Sequence, residues 1–167
     1  MRKLNLLKTI VDFVWIMALI FIPFLLFFIG YLLILNEPFD IPIKMNGVEI
    51  TVLDVNAKIV LFFATLAYLV LLYALFFIKK LLRLFQLKII FDDKIIFYFK
   101  RIGNLFVISG FLSGIPAFFY KVAQREIKIE IGASPFLYLI SLGLFFMDLS
   151  EVFKIAKTMK EENELTI

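Results

Sequence analysis

Two carboxylates stand three residues apart in "MDLSEVFKIA", Asp148 and Glu151, at the point where a long apolar run ends. Three residues is just under one helical turn, so both acids fall on nearly the same side of a helix. An ionisable residue at membrane depth marks a functional site by default, and its partner has to be named. A proton or cation path is one chemistry such a pair offers. Pairing with bases that hold neighbouring helix ends together is the plainer one. Acid catalysis fits poorly, because two acids on one turn of one helix do not straddle a substrate. The choice depends on the elements that carry the acids.

Those elements are membrane spans. The chain has 167 residues, room for a single domain, and is 63% hydrophobic with 19% charged residues. Four stretches carry no charge: 13–35, 59–78, 102–120 and 131–147. Crossing about 30 Å of hydrocarbon takes roughly 17–25 apolar residues, and all four stretches qualify, the last barely. The start, "MRKLNLLKTIVDF", is basic like a signal peptide. The apolar run behind it is longer than a cleavable h-region and shows no small-residue cleavage site, so it reads as a retained first span. Cysteine and histidine are absent. That excludes thiol chemistry and removes the commonest metal ligand and neutral-pH proton carrier. No catalytic, cofactor or metal site is expected, and the chain reads as a non-enzyme.

Lys and Arg near span ends set orientation. Thirteen fall in the N-terminal segment, the 79–101 loop and the 148–167 tail, against five in the 36–58 and 121–130 loops. The bias places both termini and the middle loop in the cytoplasm. Bases beside spans are explained by topology and anionic lipid, so direct nucleic-acid binding is not expected. The first outer loop alternates Ile41, Ile43 and Met45, then turns at Asn46-Gly47 and alternates again through Val48, Ile50 and Val52. Asn-Gly between alternating runs signals a β-hairpin. Ile127, Ile129 and Ile131 alternate in the second outer loop. Both loops are expected to form one small β-sheet, with two separate loops as the alternative.

The middle loop is different. Basic residues continue span two as a helix, and Asp92 or Asp93 is placed to cap a third helix that starts well before Ile102. Phe91, Ile95, Phe99 and Ile102 fall on one face, either a lead-in helix packed on its own bundle or a partner surface. In span three Gly103, Gly110 and Gly114 share a face, with Ser109 and Ser113 alongside; span four brings Ser141 and Gly143. Small residues let helices approach in lipid, by internal packing or by homodimerisation. Pro23 and Pro116 are expected to kink spans one and three. Ser134-Pro135 reads as the start of helix four. Thirteen residues then rise only about 20 Å before Asp148, which puts the acid inside the inner leaflet at the depth of Lys100 and Arg101, unless the "KIEIG" segment dips into the outer surface.

The whole chain resembles a bacterial family of small four-span membrane proteins known only as a domain of unknown function. The resemblance rests on Phe91, Asp93, Arg101, Ile102 and Gly103 in "IIFDDKIIFYFKRIG", without the family's Asn. It also rests on Glu151, Val152, Phe153, Leu165 and Thr166 in the last helix. Members are often encoded beside a small helix-turn-helix regulator, which implies a membrane protein that holds or releases a cytoplasmic transcription factor. The expected protein is an all-α transmembrane four-helix bundle, N-in and C-in, with a small extracytoplasmic hairpin. Its expected docking residues are Arg83, Lys88, Asp93, Lys100, Arg101, Glu151, Lys154 and Lys157. The competing reading is a small transporter or channel-like subunit, or an immunity protein against a membrane-active peptide.

Overall fold

A computed structural model describes residues 2–34, 43–45, 48–50, 53–124 and 135–165. Four helices carry the chain: α1 (Arg2–Ile34), α2 (Val55–Gln86), α3 (Asp93–Ala123) and α4 (Pro135–Leu165). Between α1 and α2 lie two short strands, β1 (Ile43–Met45) and β2 (Val48–Ile50). All four helices are long and apolar enough to cross a membrane. Each has 31 to 33 residues, or roughly 46–50 Å at 1.5 Å per residue, so each outreaches the hydrocarbon.

The helix starts follow local chemistry. The Asp54 carboxylate accepts a 2.7 Å hydrogen bond from the Ala57 N–H and caps α2. Asp92, extended at φ −118° and ψ 142°, accepts one of 2.7 Å from the Lys94 N–H and caps α3. Helix α3 therefore begins at Asp93, nine residues before its apolar run. Pro23 and Pro116 lie inside continuous helices. Residues 131–134 of the fourth apolar stretch fall outside the described residues, and α4 starts at Pro135.

The helices form an all-α bundle in which sequence neighbours pack together, most extensively α3 on α4 and least α1 on α2. Outward side chains are apolar: Phe27 is 79% exposed and Phe119 65%. In water such a surface would be a large sticky patch; facing acyl chains it is at home. The strands pair antiparallel, Met45 opposite Val48 and Ile43 opposite Ile50. Ile50 is buried with Leu32, Leu53, Ala57, Leu61, Ala117 and Tyr120, tying the strand to one end of the bundle. Ile41, Asn46, Gly47, Val52 and the Ile127–Ile131 segment lie outside the described residues, as does any sheet joining the two loops.

Candidate functional site

The end opposite the strands holds most of the charge, and it has its own core. Phe77 and Leu81 of α2 are buried with Ile95, Phe99 and Ile102 of α3, and Phe85, Phe146, Leu149 and Phe153 pack around them. Phe99 stacks on Phe153 at 5.0 Å between centroids, and Phe85 lies 6.1 Å from Phe153. Three helix ends thus meet in an aromatic cluster. The Phe91, Ile95, Phe99, Ile102 stripe is divided: Phe91 is exposed, and the other three face inward.

One side of α4 meets α3 along its length. Phe136 lies against Gly114 and Gly110, and Gly143 crosses Gly103. The Ser150 hydroxyl donates to the Ile96 carbonyl at 2.9 Å, and Lys157 donates to Asp93 at 2.7 Å. Phe136, Gly143, Ser150 and Lys157 are spaced seven apart, two turns each, so they form one stripe. The Gly110–Gly114 pair is therefore occupied within the chain, by Phe136. Ser141 is exposed, away from this seam.

That stripe decides where the acids point. At about 100° per residue, Asp148 is some 200° from Ser150 and Glu151 about 100°. Both are exposed, and among the described residues no ion pair joins either acid to Lys100 or Arg101. The expected helix-end pairing of these four residues does not form here, because the α3–α4 crossing turns Asp148 outward. Arg101 lies over the Phe97 ring at 5.3 Å instead. The pair that does form is Lys157–Asp93, two of the expected docking residues. Lys157 is 23% exposed and also lies 3.5 Å from Glu161. The hydrogen bond to Asp93 raises the Lys157 pKa, against an opposing effect of burial. Arg83 on α2, Lys88 in the α2–α3 turn, Lys100 and Arg101 on α3 and Lys154 on α4 are all exposed. The eight residues expected to dock a partner share one end of the molecule but not one face.

Two features escaped the sequence. Asp12 lies 3.2 Å from Lys79 and 3.9 Å from Lys8, linking α1 to α2. Its Oδ1 is shielded from solvent and makes no hydrogen bond, so its partner there is the ammonium charge alone. Gln86 donates to the Asn5 side chain at 2.9 Å in the same seam. The second is the α2–α3 turn. Lys88 has φ 57°, the left-handed region that usually takes glycine. The Lys88 N–H reaches the Phe85 carbonyl and the Ile89 N–H the Leu84 carbonyl, both at 3.1 Å. This closes α2 in a Schellman motif. Leu87, Ile89, Ile90 and Phe91 are left exposed around it, with Lys160 over the Phe91 ring at 5.3 Å. A Gly at 88 would have announced the turn; a Lys there concealed it.

Among the described residues no group of three acids is placed to hold a metal ion. A cavity of about 540 Å³ lies between α2 and α3 near the strands, lined by Phe63, Phe111, Ile115 and Phe119 without converging charges. In mid-bundle the Ser109 hydroxyl donates to the Ala67 carbonyl at 3.0 Å and the Thr65 hydroxyl to the Leu61 carbonyl at 2.8 Å. These hydroxyls bond to backbone.

The fold and this end together define a multi-pass membrane protein of four helices. Over residues 4–167 the chain matches the family described as protein of unknown function (DUF2975), and it belongs to that family. Among curated proteins and among solved structures, nothing matches it.

Proposed function

We propose that the protein is an inner-membrane docking platform, both termini cytoplasmic, whose basic end binds a cytoplasmic protein such as a transcription regulator. The observation that carries this reading is the α2–α3 turn. Lys79 directly follows the α2 apolar run, and Leu87 lies eight residues further, about 12 Å along the axis. Headgroups add only about 5–7 Å on each side of the hydrocarbon. The turn therefore reaches water while exposing four large apolar side chains. A residue held at positive φ beside them is the kind of local strain that collects at functional positions. The excess of Lys and Arg supports a cytoplasmic location for this end.

The test is photo-cross-linking in cells of the native host, with a photoreactive residue at Phe91. The reading predicts one cytoplasmic protein of regulator type, lost on Lys88→Glu together with Ile90→Ser. Recovery of lipid alone from Phe91 refutes it.

A further inference from the structure

Among the described residues no other helix packs extensively on the face of α4 opposite its α3 seam, and that face is regular. Tyr138, Phe145, Asp148, Val152, Ile155 and Met159 recur at spacings of three, four or seven, an a/d-type seam interrupted at Ser141. Its upper part faces lipid. Its lower part does not: Ser150 is level with Ile96, and Lys157 with Asp93. Ile96 lies near the level of Lys79, where the α2 apolar run ends, because Phe77 packs on Phe97 and Tyr98. Val152 therefore lies among the headgroups, while Ile155 and Met159, about 8 and 14 Å further along α4 than Ser150, run past them; the three are 57% to 64% exposed. An apolar heptad stripe in water is a seat for another helix.

Charge selects the occupant. Asp148 and Glu151 stand exposed at the membrane end of the seat, without an ion pair among the described residues. A second copy of α4 packed in parallel would set Asp148 against Asp148, and like charges across a seam disfavour that pairing. We infer that the outer face of α4 from Asp148 to Met159 seats an amphipathic helix of a partner, with apolar residues against Val152, Ile155 and Met159 and basic residues against Asp148 and Glu151. The inference deepens the docking reading and rests on it in one respect, that a protein partner acts at this end.

The test uses the full chain in nanodiscs of phosphatidylcholine, which is net neutral and gives basic peptides no anionic surface. The probe is a fluorescent 21-residue peptide of three heptads, Leu and Ile at a and d, with Lys at e and g. A twin peptide carries Glu in place of Lys. The Lys peptide is expected to bind saturably and at least tenfold more tightly than its twin. Ile155→Ser should weaken it about tenfold, and the double variant Asp148→Lys, Glu151→Lys should reverse the preference. Equal binding of both peptides, or binding indifferent to these substitutions, overturns the inference. Ile155→Cys chains that form disulfides with each other and exclude the peptide overturn it in favour of a second copy. The Phe91 cross-link is independent: if it succeeds while the peptide test fails, docking stands and only the α4 seat is lost.

Discussion

The α3–α4 seam and the α1–α2 seam are built on different principles. Along α3–α4 glycines bring the backbones together: a Cβ added at Gly143 would sit 2.8 Å from the Gly103 carbonyl oxygen and 2.6 Å from Val107. Helix α3 buries residues along its whole length, whereas α1 buries only Ala18 and Leu32. Apolar contact between helices gains little over contact with lipid tails, so α1 depends on directional links. Near the basic end these are Asp12–Lys79, Asn5–Gln86 and the Trp15–Phe76 ring contact at 5.7 Å. The pair α3–α4 packs most extensively in the bundle, and α1 least.

The sharpest way to break this contrast is a matched glycine pair. Gly143→Leu drives a side chain into the α3 backbone and should destabilise by about 3 kcal/mol or more in thermal unfolding in detergent. Gly30→Ala in α1 meets nothing within 4 Å, so it should be neutral or stabilising by about 0.5–1 kcal/mol, through better helix propensity. Removing the α1 link comes next. Asp12→Asn should weaken the half-exposed pair by about 1 kcal/mol or less, yet should markedly raise protease cleavage in the first turns of α1. Ser109→Ala removes one interhelical hydrogen bond, for about 0.6 kcal/mol in the same unfolding assay.

The smallest effect is one of pH. The Lys157 pKa is raised by Asp93, so the folded state holds that proton more tightly than the unfolded chain. The stabilisation is complete below the ordinary lysine value of 10.5 and is lost as pH rises through the higher folded value. Lys157→Met should flatten the stability profile there and leave it unchanged in shape near neutrality.

Much of this was legible in the sequence, because length, charge exclusion and caps are local properties. Asp92 announces the start of α3, and Pro135 begins α4. What could not be read was the rotation of each helix about its axis. Whether Asp148 meets Arg101 depends on the face α4 turns to α3. That is fixed by the Gly103–Gly143 crossing, a contact forty residues apart in the chain. The same rotation selects Lys157 for Asp93 and leaves Asp148 and Glu151 outside. Asp12 lies among the N-terminal bases, where nothing in the sequence signals a link to α2, and only the approach of Lys79 reveals its role.

Both the docking reading and the α4 seat require the basic end to face the cytoplasm. The most direct measurement is labelling of single cysteines in this cysteine-free chain by a membrane-impermeant maleimide on intact cells. Val55→Cys, exposed at the strand end of α2, and Leu87→Cys, exposed at the turn, are the two reporters. Val55→Cys should be labelled at once and Leu87→Cys only after the membrane is permeabilised. Labelling of Leu87→Cys in intact cells, with Val55→Cys protected, would contradict that orientation and place the docking surface outside the cell.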